Sequence, residues 1–370
     1  MALTLVACGQ PTAQSGPTPS PHHTPTATPS PTPPPTPTPL PPPPNLPAAG
    51  GIYPVAGFSA YVYARGAGAT TAMAFGPDGR LYVATQGGAI EAVASPGAAP
   101  QTLVSGLPIA LGLAWRGNEL IASVRGSVRS YQLSNGGLTG GHVVVGGLPT
   151  GRHQNDAILP MPNGDVLLGV GSTCDVCTEP DSRSATVLRF HADWTFAGIA
   201  VRGSRNPFGL ALRTSTGDAY VMINGQDNLG AQPADHLLRV VDGEDAGWPR
   251  CWPAYPDGSL HGNCAGVATP VAVFTPHSSA DGIVIYASGE FGADYADNAF
   301  VTEWGANAGG PIGRIVLRVV LSGSGANEHG QVSDFARGFS HPLAITVAPD
   351  GGLLVGDYGT GQITEIFRTS

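Results

Sequence analysis

The chain has 370 residues and a formal net charge of −9, from 17 basic and 26 acidic side chains, with 53 glycines and 36 prolines. Every basic side chain is an arginine, scattered from Arg65 to Arg368, so there is no clustered basic face for nucleic-acid phosphates and a lysine Schiff base is excluded. Beyond residue 50 the chain is rich in Gly, Val, Leu and Ala and long enough to bury a large core, which excludes a disordered or fibrous protein.

Near the amino terminus, Leu5-Val6-Ala7-Cys8-Gly9 follows a short apolar start and has the form of a lipoprotein cleavage box, small residues before a cysteine that takes the lipid. Residues 1–8 are expected to be a truncated signal, with Cys8 the lipidation site and the true start upstream, because no positive segment precedes it. The alternative is an ordinary cysteine in a frayed terminus. Residues 9–50 are mostly Pro, Thr, Ser and Ala and carry no charged side chain. Such a run cannot bury a core and is expected to be a disordered stalk, extended at roughly 3.1 Å per residue and holding the folded domain up to about 100 Å from a membrane. No stretch approaches about 18 apolar residues, so membrane contact is expected only through the lipid. The expected location is therefore exported and lipid-anchored.

From residue 51 the pattern is all-β. The early strand Ala60-Tyr61-Val62-Tyr63 is expected to join the last sheet. Turn tripeptides before short apolar runs then recur: Pro77-Asp78-Gly79, Pro162-Asn163-Gly164 and Pro349-Asp350-Gly351 strongly, Arg116-Gly117-Asn118, Thr216-Gly217-Asp218 and Tyr295-Ala296-Asp297 more weakly. Six units spaced by roughly forty to fifty-five residues, with one longer interval, predict a six-bladed β-propeller over residues 51–370. The longer interval, about 225–282, is expected to be a loop insertion on the ligand-binding face. Four cysteines fall in this part, an even number in an exported chain, so disulfides Cys174 with Cys177 and Cys251 with Cys264 are the first expectation. A four-thiolate zinc site is the rival, although only one pair has knuckle spacing.

Three loops carry candidate chemistry. His153, in Gly151-Arg152-His153-Gln154-Asn155-Asp156, has the side chain best suited to take a proton near neutral pH; a loop histidine can equally be structural or simply exposed. Arg205, in Ser204-Arg205-Asn206-Pro207-Phe208-Gly209, projects from an equivalent loop and suits an anionic or quinonoid ligand, or else satisfies neighbouring carbonyls. Asn224-Gly225-Gln226-Asp227-Asn228 offers hard oxygens of the kind calcium prefers, and is also ordinary turn composition.

Taken in order, His153, Pro162-Asn163-Gly164, Gly171-Ser172-Thr173-Cys174-Asp175-Val176-Cys177, Ser204-Arg205-Asn206-Pro207-Phe208-Gly209-Leu210-Ala211, Asn224-Gly225, Gly247-Trp248-Pro249-Arg250-Cys251 and Phe300-Val301-Thr302-Glu303-Trp304-Gly305 resemble the soluble glucose/sorbosone dehydrogenase family, which uses pyrroloquinoline quinone. The likeness spans nearly all of residues 55–367 and is closer to the sorbosone branch. It implies a six-bladed propeller with quinone and calcium on its top face, oxidising an aldose or sugar aldehyde by hydride transfer and passing electrons to an external acceptor. On that model His153 is the general base, and Arg205 stabilises the reduced quinone. Asn206, Asn224, Trp304, Arg314 and His341 contact the cofactor, while Gly225 and Gln226 hold calcium through backbone oxygens.

The departures from the family pattern are specific. Ser172 stands where the glucose branch orients the base with Asp, and Asp156-Ala157 stands where an arginine pair is common. Trp304 and Ser340-His341-Pro342 fall where cofactor-anchoring cations sit, with Arg152, Arg314 and His341 placed to compensate. A cofactor-free propeller that binds carbohydrate or protein is the alternative function. A metal-dependent lactonase would need a ring of metal ligands that these residues do not supply.

Overall fold

The computed structural model describes residues 45–306 and 312–369. The expected signal, Cys8 and most of the expected stalk lie outside the described residues. The last stalk residues do not: Ala49 is buried, and Val62 N–H donates to Pro47 C=O at 2.8 Å, so the folded unit begins a few residues before the expected boundary.

The six turn tripeptides occupy one structural position repeated six times. Each joins the innermost strand of a blade to its second strand, and the innermost strands are Thr70–Phe75, Ala110–Arg116, Asn155–Pro160, Asn206–Arg213, Ala280–Ile285 and Pro342–Val347. We number blades 1 to 6 in that order. Each blade is an antiparallel sheet, with additional edge strands, Glu244–Asp245 on blade 3 and Tyr53–Pro54 on blade 5. The strand Phe58–Arg65 pairs with Gln362–Arg368 as the outermost strand of blade 6, so both ends of the folded region share one sheet and close the ring.

Second strands such as Leu81–Thr85, Val166–Val170 and Leu353–Asp357 are buried along their whole length, because neighbouring blades cover both faces. Their sequences are accordingly continuous apolar runs, and each fully buried Leu, Ile or Val contributes about 1.5–3 kcal/mol.

All six innermost strands carry a register shift within their first few residues, between Thr70 and Ala72, Ala110 and Gly112, Asn155 and Ile158, Pro207 and Leu210, Ala280 and Ile283, and Pro342 and Ala344. A bulge sharpens the local twist and lets six strands meet at one axis. Little space is left there. A Cβ on Gly209 would lie 2.1 Å from Asp281 C=O, and one on Gly282 would lie 2.1 Å from Leu343 C=O. The axis holds a cavity of about 100 Å³, lined by all six strands, and is a packed core with a narrow channel.

The 225–282 stretch is only partly an insertion. It contains the two outer strands of blade 4, Asp235–Arg239 and Ala272–Phe274. The excursion is the segment between them, with a small hairpin of Cys251–Pro253 and Leu260–Gly262 stapled by the Cys251–Cys264 disulfide.

One buried carboxyl in the sheets has a measurable consequence. Burial, with the charge of Asp350 adding to it, pushes the Glu365 carboxyl up to about 8 from its ordinary 4.5. The folded state keeps a proton that the unfolded chain releases, so this group costs stability as pH rises from about 4.5 through 8. Glu365→Gln is expected to match the wild-type melting temperature at pH 5 and exceed it at pH 9. Parallel melting curves across that range would contradict the assignment.

Candidate active site

The loops before the innermost strands and those after the second strands emerge on one face, here called the top. His153 lies two residues before its strand on blade 3. Its N–H donates to Ser172 C=O at 3.0 Å, which extends the pairing of the two strands upward. A Cβ on Gly171 would lie 2.3 Å from His153 Cβ, so only glycine lets the histidine settle here.

Ser172, fully buried, sets the tautomer. Its hydroxyl donates to Cys174 C=O at 2.6 Å, which leaves its oxygen to accept from His153 Nδ1–H at 3.0 Å. The Nε2 of His153 is then an unprotonated acceptor. Burial, together with the positive charges of Arg205 and Arg152, pushes the His153 pKa down to about 3, so the ring is neutral at physiological pH.

Arg205, one residue before the blade 4 strand, has a φ of +29°, an uncommon conformation for a side-chain-bearing residue and one held by its surroundings. Its side chain is buried. Nη2 donates to Asp175 Oδ1 at 2.7 Å and to Asp227 Oδ2 at 3.1 Å, while Nη1 reaches toward Asn224 C=O at 3.5 Å. Its Nε has no partner among the described residues. Asp175 lies inside the Cys174–Cys177 loop, closed by a disulfide, and Trp248 Nε1–H donates to its backbone C=O at 2.9 Å. Burial raises the Asp175 carboxyl, but hydrogen bonds from Asp227 N–H and Arg205 outweigh it and hold the group below its ordinary value.

Asn206 Nδ2 donates to Asn224 Oδ1 at 2.7 Å, and Asn206 Oδ1 is buried without a donor among the described residues. Gly225 N–H donates to Asp235 at 2.8 Å, and burial pushes the Asp235 carboxyl up to about 6. Among the described residues no hydrogen bond is donated to the carbonyls of Gly225 and Gln226. His153, Arg205, Asn206, Asn224, Gly225 and Gln226 thus gather over blades 3 and 4.

The remaining candidates form a second group over blades 5 and 6. Trp304 and His341 stack with centroids 4.1 Å apart, and His341 Nδ1–H donates to Trp304 C=O at 3.0 Å. Tyr358 packs edge-on against Trp304 and donates to Gln86 at 2.7 Å. Arg314 Nε is buried and has no hydrogen-bond partner among the described residues.

Both cysteine pairs are disulfides, which corrects the zinc alternative: Cys174, Cys177 and Glu179 are close enough to hold a metal, but the two sulfurs are bonded to each other. Asp227 entered the sequence reading only as one oxygen donor of the 224–228 segment, and Asp175 and Trp248 only within longer motifs; Asp235 was not singled out. The one signal for Asp175 was its place inside Cys-x-x-Cys.

Neither a protein-family model nor a curated protein sequence matches the chain. Solved structures do. A carbohydrate-active enzyme of family AA12 from Trichoderma reesei aligns with a TM-score of 0.75 at 18% identity, covering 88% of this chain and 98% of that one. The holo form of the pyranose dehydrogenase PQQ domain from Coprinopsis cinerea aligns at 0.74 and 16%, covering 86% and 97%. The PQQ-bound aldose sugar dehydrogenase from Streptomyces coelicolor aligns at 0.65 and 20%, covering 85% and 99%. At these identities the likeness establishes the shared propeller fold.

The tautomer is testable by nitrogen NMR of the histidine rings. His153 is expected to carry its proton on Nδ1 and to stay neutral from pH 8 to pH 5, and Ser172→Ala is expected to mix in the Nε2–H form. A midpoint near 6.5 for this ring would contradict the geometry.

Proposed function

We propose that the protein is an exported, lipid-anchored quinoprotein dehydrogenase that oxidises an aldose or sugar aldehyde and passes the electrons to an external acceptor. The observation that carries this reading is the pairing of an imidazole with a free Nε2 and a buried arginine, raised from adjacent blades beside two unengaged carbonyls.

The donor set fits the chemistry of pyrroloquinoline quinone with calcium. Arg205 and Arg314 each have a buried Nε without a partner among the described residues, which suits the oxygens of an anionic ring. The carbonyls of Gly225 and Gln226 suit a hard cation, and the Trp304–His341 stack presents flat surface. Asn206 and Asn224 add an amide pair beside the arginine. When bound, the quinone supplies the two-electron acceptor for the hydride leaving the substrate carbon.

The chain's own residues do the rest. His153 Nε2 takes the proton of the substrate hydroxyl as the carbon loses its hydride, and Ser172 holds the ring so that Nε2 faces outward. Arg205 supplies fixed positive charge, kept in place by Asp175. Export to an oxidising compartment agrees with two disulfides in the folded part.

A second reading has one observation in its favour. Arg205 Nη2 already serves both Asp175 and Asp227, as in a propeller that binds neutral carbohydrate or protein without cofactor.

Supplied with the quinone, calcium, a panel of aldoses and an artificial acceptor, the protein is expected to turn over. His153→Ala is expected to lose about 10²- to 10⁴-fold in turnover with an unchanged melting temperature. Near-normal turnover in the variant would remove His153 as the base, and no turnover in the wild type under any condition would favour the binding module.

A further inference from the structure

Two arginines on the top face converge on one carboxylate. Asp227 Oδ2 lies 2.5 Å from Arg152 Nη2 and 3.1 Å from Arg205 Nη2. His277 lies beside the pair, with Nδ1 3.5 Å from Asp227 Oδ1, while its Nε2–H donates to Gly230 C=O. The two arginines come from successive blades, each within three residues of the start of the innermost strand of blade 3 or 4.

Asp227 is mounted differently. It opens a three-residue turn, Asp227–Leu229, that has no buried residue and no side-chain cap, and its carboxylate is 47% exposed where the Arg205 side chain is 4% exposed. The turn is tied down at one end by Asp227, through the ion pairs above and its N–H donating to Asp175 Oδ1 at 3.0 Å, and at the other by His277 Nε2–H donating to Gly230 C=O. Arg205 would keep its position without Asp227, because Asp175 holds the same Nη2 from within a disulfide-closed loop.

We propose that Arg152 and Arg205 form a recognition site for an oxyanion, and that Asp227 fills this site as an internal stand-in that the incoming ligand displaces. A multidentate carboxylate or phosphate matches two converging guanidinium groups better than one side-chain carboxylate does. That the natural anion is a carboxylate of the quinone rests on the function proposed above; the site itself does not. Displacement makes the free protein bind more weakly than its donor set allows, since apparent affinity falls with the fraction of molecules in which the site is open.

The test compares wild type with Asp227→Asn by calorimetric titration, using inorganic phosphate in one arm and pyrroloquinoline quinone with calcium in the other. If the carboxylate fills the site in about nine molecules of ten, the variant binds phosphate about tenfold more tightly, and adding Arg152→Gln to it removes the gain. Equal or weaker phosphate binding in a variant with unchanged circular dichroism and melting temperature overturns the proposal, as does weaker quinone binding, which would make Asp227 part of the ligand site. The two readings fail separately. A phosphate gain with no quinone binding to either protein leaves the displaced carboxylate standing and removes the quinoprotein, and quinone binding without a phosphate gain does the reverse.

Discussion

Crowding at the propeller axis is the constraint on which the rest of the structure depends. Six strands meet around a cavity of about 100 Å³, close enough that Gly209 and Gly282 have no room for a methyl group. The strands reach that spacing by bulging near their upper ends, all six at corresponding positions. Above the bulges regular strand pairing gives way to the loops that carry His153, Arg205 and His341, which keep a few backbone hydrogen bonds to their neighbours. A wheel with these loops gathered on one face brings side chains from different blades to the same surface.

Electrostatics then divides the labour among those side chains. His153 is kept neutral by burial and by the arginines beside it, and Ser172 chooses which nitrogen is bare. Arg205 is held in place by Asp175, itself fastened by a disulfide loop and by Trp248. A buried arginine without that partner would be strongly destabilising, whereas with it the positive charge is available at a fixed point. The small disulfide loop thus serves the site more than the overall fold.

Much of the fold was legible in the sequence, because each blade declares itself with a turn tripeptide before a continuous apolar strand. The closing strand was legible for the same reason, Ala60 to Tyr63 being too apolar to stand alone. The outer strands of blade 4 were not: Asp235–Arg239 opens with a buried Asp and His, and Ala272–Phe274 is only three residues long. In the site, His153 and Arg205 could be placed on one face because they precede equivalent turns by similar intervals. Asp175 and Asp227 could not, since their meaning lies in a meeting of loops 52 residues apart that no local pattern announces. Ser172 stood out only as a departure from a family pattern, and its hydrogen bonds show how a hydroxyl can still orient an imidazole.

The proposal that the top face takes an anionic quinone with calcium is tested most directly by titrating the protein with pyrroloquinoline quinone, with and without calcium, while following the cofactor's absorbance and the melting temperature. Saturable, calcium-dependent binding is predicted, with one quinone per chain and a raised melting temperature. No spectral change and no thermal shift at cofactor concentrations well above micromolar would contradict it, and the propeller would then be a binding module for a different ligand.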